Sequence, residues 1–226
     1  MPIHIEKVDG QPHRVVNLSR LEALGDAIFA FALTLLAMDI RVPVIEPNAL
    51  AQGILSLLPK LLVFVFSFLA IAQAWYNHQR TMMLIVRSDR TFLWLYLLSL
   101  MFVVLMPASA DILGRYPLQP LSLVFFGINT ALLCLASWIM WQYASHPGKL
   151  LDDDIEPAGV KLIARLWLYP PLIIVVTMRL VFVCVYPVYV AWLLMPLIFY
   201  SYSMWAVRRN RKDPRSYNQY LEVSQG

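Results

Sequence analysis

The sequence predicts an all-α, polytopic membrane protein with six transmembrane helices. Of its 226 residues, 60% are hydrophobic and only 14% are charged, whereas a soluble domain carries about 25% charged residues. Six apolar stretches are each close to the ~20 residues that a helix needs to cross a bilayer, and prolines and polar residues separate them. The predicted spans are Leu21–Ile40, Leu55–Tyr76, Thr91–Leu113, Leu121–Tyr143, Leu162–Cys184 and Val188–Val207.

This composition excludes a soluble enzyme, a disordered chain and a nucleic-acid-binding protein. The two cysteines lie in apolar runs, which argues against a disulfide framework. The four histidines have no metal-ligand spacing, and the dispersed glycines form neither a phosphate-binding loop nor a carbonyl filter loop. We therefore expect no enzymatic activity, no cofactor and no structural metal.

The distribution of basic residues predicts the orientation in the membrane. Lysine and arginine collect in the N-terminal arm, in the second-to-third and fourth-to-fifth loops and in the tail, while the other side has only Arg41, Lys60 and Arg115. Because basic loops stay in the cytoplasm, both termini are expected inside, in the cell (inner) membrane. The predicted organisation is a cytoplasmic arm (residues 1–20), a membrane domain (21–207) and a basic cytoplasmic tail (208–226).

The first span contains acidic residues where a membrane helix disfavours them. Its uninterrupted apolar part, Ala27–Met38, has twelve residues and reaches only about 18 Å of the ~30 Å core. The turn with Glu22 and Asp26 must therefore enter the membrane domain, which suits a helix surrounded by other helices or lining water. Asp26 needs a partner on another element, and the end of the second span offers Asn77, His78 or Arg80. Alternatively, the residues at this end of the span are ordinary interfacial anchors, because Trp, Tyr, His and Arg are common at membrane boundaries.

One face of the first helix is apolar apart from a single threonine. Steps of four, three and four residues connect Ala27, Phe31, Thr34 and Met38, so their side chains share a face. Helix packing explains this pattern, and so does a narrow pore wall with a hydrophobic constriction and one hydroxyl layer. The spacing leaves both interpretations open.

A basic residue lies inside the fifth span, about one turn from its outer end. Arg179 either extends its guanidinium outward to the membrane surface or pairs with Asp39 or Asp111 at an outer rim.

The first span resembles the signature of the prokaryotic transmembrane protein 175 family of potassium channels, an arginine, three variable residues and then Phe-Ser-Asp. Here Arg20 and Asp26 match, while Leu24-Gly25 replaces Phe-Ser. Ser67-Phe68 with Trp75 and His78 resembles the family's second helix. Leu100–Pro107, followed by Tyr116-Pro117, resembles its third helix.

The resemblance implies a homotetramer in which four first helices surround a central pore. It puts Phe31, where the family usually has an aliphatic residue, at the constriction, Thr34 at the hydroxyl layer and Met38 at the outer apolar layer. Four further residues would form an inner polar network. The implied pore lining is Ala27, Phe31, Thr34, Leu35 and Met38, and the implied network is Arg20, Asp26, Trp75 and His78.

We expect a potassium-preferring leak channel whose permeant ion passes transiently near Thr34. Apolar rings would favour the cation that loses water more easily, with Thr34 hydroxyls replacing part of its shell. The expected partners are further copies of the chain, the bilayer and monovalent cations. The alternatives are a proton-linked secondary transporter using Asp26 and His78, and a non-conducting membrane protein.

Overall fold

The computed structural model describes residues 5–8, 11–14, 17–38, 40, 50–146, 150–151, 157–195 and 201. Within these ranges the chain forms one hairpin and a series of helices. Their bounds are β1 Ile5–Val8, β2 Gln11–Arg14, α1 Leu18–Met38, α2 Leu50–Ser56, α3 Leu58–Met82, α4 Arg90–Arg115, α5 Pro120–Ala144, α6 Pro157–Val181 and α7 Tyr186–Met195.

The described part of the chain contains five helical stretches long and apolar enough to cross a membrane. They are α1, the 33 residues of α2 and α3 together, α4, α5 and the Ile163–Val181 part of α6. They correspond to the first five predicted spans, so the prediction of a helical multi-pass membrane protein is confirmed. The sixth predicted span, Val188–Val207, overlaps α7, and most of its remainder lies outside the described residues.

The N-terminal arm contains a short antiparallel hairpin that the sequence analysis did not predict. Strands β1 and β2 pair with Val8 opposite Gln11. The two residues between them in the sequence are Asp9 and Gly10, a dipeptide that strongly favours two-residue hairpin connections. That dipeptide is the signal that could have predicted the strands. The basic tail predicted for residues 208–226 lies outside the described residues.

Local sequence signals explain where several helices begin. Proline is at the first turn of both α3 and α5, where its missing N–H removes no helical hydrogen bond. The Asp89 carboxylate accepts a hydrogen bond of 2.7 Å from the backbone N–H of Phe92 and so caps α4. The Tyr143 hydroxyl donates to the same carboxylate at 2.6 Å, which connects the end of α5 to the start of α4.

The helices pack side by side so that α1 and α6 lie towards opposite sides of the bundle. Helix α1 packs against α3 and α4, α4 packs against α5, and α5 packs against α6. An aromatic cluster joins α3 and α5 to α7, with the Trp192 ring stacked on Phe66 and tilted against Phe126 at centroid distances of 6.1 and 6.2 Å. The Trp192 indole N–H also donates to the Thr177 hydroxyl of α6 at 2.8 Å.

Gly127 allows the close approach of α5 to α6 and α7. A Cβ at this position would lie 2.6 Å from the Met178 Cε and 2.7 Å from the Trp192 ring.

We expect Gly127→Ala to lower the melting temperature of the detergent-solubilised protein by about 5 °C, because overpacking forces the Trp192 ring to move. Differential scanning fluorimetry measures this shift.

Gly114→Ala is the matched control, since the nearest atom to a Cβ at Gly114 is the Val63 Cγ1 at 3.9 Å. Alanine favours helix over glycine, so this variant should melt at the wild-type temperature or above it. Equal melting temperatures for the two variants would contradict the close packing at Gly127.

Candidate functional site

Helix α1 has one face that its own subunit buries. Leu21, Gly25, Phe29, Ala32 and Leu36 are the buried residues of this helix. Their spacing of three and four residues puts them in one stripe, and this stripe faces α3 and α4, the helices against which α1 packs.

The opposite face of α1 is exposed in the single chain. It carries Ala27, Phe31, Thr34 and Met38, and the side chains of Phe31 and Met38 are each 65% exposed. Leu35, at the edge of this face, is half-buried. These are the residues that the sequence analysis grouped as pore-lining, and we call them the exposed α1 face. An apolar helix face that its own subunit leaves uncovered suits contact with other chains, lipid or a pore.

The hydroxyl of Thr34, the only one on the exposed α1 face, already donates its proton to a hydrogen bond. The Thr34 hydroxyl donates a 2.8 Å hydrogen bond to the carbonyl of Phe31 within the helix. A hydroxyl has one proton and two lone pairs. The Thr34 oxygen therefore keeps lone pairs that can accept from water or coordinate a cation.

The carboxylate of Asp26 is bound by two side chains of α3. The indole N–H of Trp75 donates to its Oδ1 at 2.9 Å, and the amide of Gln79 donates to the same oxygen at 2.5 Å. Trp75 and Gln79 are four residues apart and so share a face of α3. The structure thus brings together Asp26 and Trp75, which the family resemblance grouped, whereas Asn77, His78 and Arg80, suggested by the sequence itself, do not donate to this carboxylate in the described residues.

His78 belongs to a second, fully buried group next to the carboxylate. Its side chain is only 4% exposed, and its Nε2 lies 3.3 Å from the hydroxyl of Tyr96 on α4. The same hydroxyl donates to the carbonyl of Leu21 on α1 at 2.7 Å. The Phe29 ring lies 5.4 Å from the imidazole, measured between centroids.

The two arginines near this turn do not pair with its carboxylates. Arg20 is exposed at the start of α1. Arg80 lies over the Tyr76 ring, with its Cζ 5.6 Å from the ring centroid. Within the described residues, no ion pair joins either arginine to Asp26, so hydrogen bonds alone connect this carboxylate to α3.

Two contributors to the site, Gln79 and Tyr96, were missed by the sequence analysis. Gln79 could have been found, because it lies one helical turn after Trp75 and next to His78. Tyr96 gave no such signal, since an aromatic residue in an apolar span is usually a packing residue.

The residues predicted for the outer rim do not form one cluster in the described residues, because Asp111 pairs within its own helix. Arg115 donates from its Nε to Asp111 at 2.8 Å, and Arg179 is exposed. Asp39, the third residue of the predicted outer rim, lies outside the described residues. The described residues contain no group of three or more His, Cys, Asp or Glu side chains that could hold a metal ion.

Removing the carboxylate of Asp26 should loosen α1 from α3. We expect Asp26→Ala to lower the melting temperature by roughly 3–6 °C, because two charge-assisted hydrogen bonds are lost together. Asp26→Asn should lose less, since its amide oxygen still accepts from Trp75 or Gln79. Thermal unfolding of the purified protein measures both shifts.

Glu22→Ala is the control, since Glu22 lies one turn before Asp26 and accepts no hydrogen bond from a side chain in the described residues. It should leave the melting temperature within about 1 °C of wild type. If both alanine variants melt alike, the hydrogen bonds to Asp26 do not stabilise the bundle.

Comparison with known proteins gives one consistent result. Residues 20–107 match the family model described as "Endosomal/lysosomal potassium channel TMEM175". A potassium channel of Chamaesiphon minutus is 29% identical over 84% of this chain and 94% of its own length. A potassium channel of Streptomyces collinus is 29% identical over 63% of this chain and 71% of its own length. A zebrafish endosomal/lysosomal proton channel, also named TMEM175, is 29% identical over 61% of this chain, but the match covers only 27% of that protein.

The fold agrees with these matches. The crystal structure of a lysosomal potassium-selective channel TMEM175 homologue from Chamaesiphon minutus superposes with a TM-score of 0.72 and 27% sequence identity, covering 82% of this chain and 97% of that chain. The segment matched by the family model begins at Arg20 and contains the whole exposed α1 face, so it includes the residues that carried the resemblance apart from Tyr116-Pro117. The resemblance to this family that the sequence suggested is confirmed: residues 20–107 match the TMEM175 family model, and the fold is similar to that of a TMEM175 homologue.

Proposed function

We propose that this protein is a potassium-preferring cation channel in which four copies of α1 line a central pore. The observation that carries the proposal is the exposed α1 face, which no helix among the described residues of its own subunit covers, although the opposite face is well packed. In a tetramer whose four α1 helices turn this face towards a central axis, the face would be shielded from lipid. The bacterial relatives named potassium channels support the same assignment.

The proposed channel has a defined number of helices per subunit and a defined orientation in the membrane. Each subunit has six transmembrane helices, with α7 as the described part of the sixth, and both termini face the cytoplasm of the inner membrane. The concentration of basic residues in the arm, the inner loops and the tail supports this orientation. The near-complete coverage of the Chamaesiphon structure supports the same helical arrangement.

In this pore Phe31 forms the hydrophobic constriction. Its ring is 65% exposed on the face that turns towards the axis, and four phenyl rings at one level would exclude water from a narrow passage. Such constrictions control conduction by removing water from the pore. Ala27 lies one turn to the inner side of Phe31, and Met38 lies about two turns to the outer side. The sizes of these two side chains therefore set the width of the pore on either side of the constriction.

Thr34 supplies the only oxygen on this face near the constriction. Because its proton is donated to the Phe31 carbonyl, its lone pairs point away from the helix and can replace part of a cation's water shell. Potassium gives up its shell more readily than sodium. We therefore propose transient potassium binding near Thr34.

The proton-linked transporter is the second candidate. The zebrafish relative is named a proton channel, which supports proton movement through this fold but not its coupling to a second substrate. It would use Asp26 and His78 to carry protons. In the described structure Asp26 accepts from Trp75 and Gln79 while His78 contacts Tyr96. Among the described residues no hydrogen bond joins the Asp26 and His78 side chains, which favours the channel.

Truncating the constriction should increase conduction. Purified protein in liposomes is expected to pass potassium down its gradient, and Phe31→Ala should raise the flux several-fold because the four rings no longer block the axis. A potassium-sensitive dye in the lumen measures the rate.

Phe182→Ala is the matched control, because Phe182 is 67% exposed but lies beyond the end of α6. It should conduct like wild type. Absence of potassium flux from both wild type and Phe31→Ala would refute the channel. Saturable uptake driven by pH and abolished by Asp26→Asn would favour the transporter.

Replacing the Thr34 hydroxyl should reduce selectivity. Thr34→Val keeps the shape of the side chain and removes its oxygen, so we expect the potassium-to-sodium permeability ratio to fall. Thr34→Ser keeps the hydroxyl and should hold the ratio close to wild type. Reversal potentials in planar bilayers give both values, and an unchanged ratio in Thr34→Val would show that Thr34 does not discriminate between the ions.

A further inference from the structure

We propose that Tyr96 is a positioning residue that fixes the inner turn of α1, Leu21–Asp26, and that Gly25 is the counterpart that makes room for it. This proposal deepens the channel proposal, because it concerns how the pore helix is held. Its structural part stands on contacts within one subunit.

The Tyr96 hydroxyl joins three helices at one point. Tyr96 lies on α4 and is completely buried. It donates to the Leu21 carbonyl of α1 at 2.7 Å and lies 3.3 Å from the His78 Nε2 of α3. The His78 and Tyr96 rings also lie side by side, with centroids 5.3 Å apart. A buried polar group with two partners on different helices restricts how those helices move past each other.

Gly25 is required by this arrangement. A Cβ at position 25 would overlap the Tyr96 hydroxyl, and it would also lie 3.1 Å from the His78 Nε2 and 3.3 Å from the Tyr96 Cζ. Only glycine lets the backbone of α1 approach the hydroxyl this closely. A glycine within a membrane helix weakens that helix, and here the hydroxyl contact offsets the weakening.

The position of the contact connects it to the pore. Gly25 immediately precedes Asp26, whose carboxylate fixes the same turn against α3. The two contacts lie on different sides of the turn, one from α4 and one from α3. Together they determine both the depth and the rotation of α1, and therefore which residues form its exposed face.

The family signature that the first span resembles has serine where this chain has Gly25. A hydroxyl could therefore be supplied by α1 at position 25 instead of by Tyr96 on α4. In the background of Tyr96→Phe, the space of the lost hydroxyl becomes available to a side chain at position 25. A serine there would bring its own hydroxyl beside the His78 imidazole. An alanine would fill the same space without a hydroxyl.

The test is a double-mutant cycle that measures melting temperature and potassium flux per folded protein in liposomes. Gly25→Ser alone should lower the melting temperature by roughly 5 °C, because its Cβ overlaps Tyr96. Tyr96→Phe alone should lower it less and reduce the flux. Combining the two should restore both values towards wild type, so the two losses do not add.

Two controls separate the hydroxyl from simple volume. Gly25→Ala with Tyr96→Phe should restore neither the melting temperature nor the flux as well as the serine combination does. Tyr76→Phe, at an exposed tyrosine of α3, should match wild type in both measurements. If the serine combination is no better than the alanine combination, or if the single losses add, the proposal is overturned.

The two measurements also separate this proposal from the channel proposal. If wild type passes no potassium, the channel proposal fails while the melting temperatures still decide whether Gly25 and Tyr96 are coupled. If Gly25→Ser does not fold, recovery of folded protein on adding Tyr96→Phe supports the coupling. Loss of folding in the combination, with Tyr96→Phe folded alone, contradicts it.

Discussion

The structure depends on a carboxylate that a membrane helix has to accommodate. A charged aspartate is costly in a membrane helix, by about 2.5–3.5 kcal/mol at the helix centre on insertion scales, and Asp26 lies in the inner turn of a first helix too short to span the bilayer without that turn. Two donors from α3, Trp75 and Gln79, bind a single oxygen of this carboxylate. These bonds offset the cost and at the same time fix α1 against α3 at one depth.

Once this turn is fixed, the rest of α1 follows from helical geometry. Leu21, Phe29 and Leu36 are buried against the neighbouring helices, and the opposite side is left apolar and uncovered. In the described residues the polar contacts of α1 with other helices lie at its inner end, whereas the outer two-thirds pack through apolar side chains. A helix held in this way can turn an apolar face towards a central pore axis and still keep its orientation.

Much of this could be predicted from the sequence, because the physical constraints involved are strong. Five spans follow from apolar length, and the exposed α1 face follows from the 3.6-residue period. The residues themselves suggested Asn77, His78 or Arg80 as the partner of Asp26, and only the family resemblance grouped Asp26 with Trp75. Tyr96 could not be found, because its contact with Gly25 joins residues 71 positions apart and depends on how closely α4 approaches α1. A sequence pattern encodes which side of a helix is apolar but not the distance between two helix backbones.

The phenylalanines of α1 show why the inner turn matters for function. Phe29 and Phe31 are two residues apart and therefore about 200° apart around the helix. Phe29 is 2% exposed and packs beside His78, while Phe31 is 65% exposed. Apolar packing alone discriminates weakly between two phenyl rings of equal size. The contacts of Asp26 with α3 and of the Leu21 carbonyl with Tyr96 break this near-symmetry, and so they decide which ring faces away from the subunit.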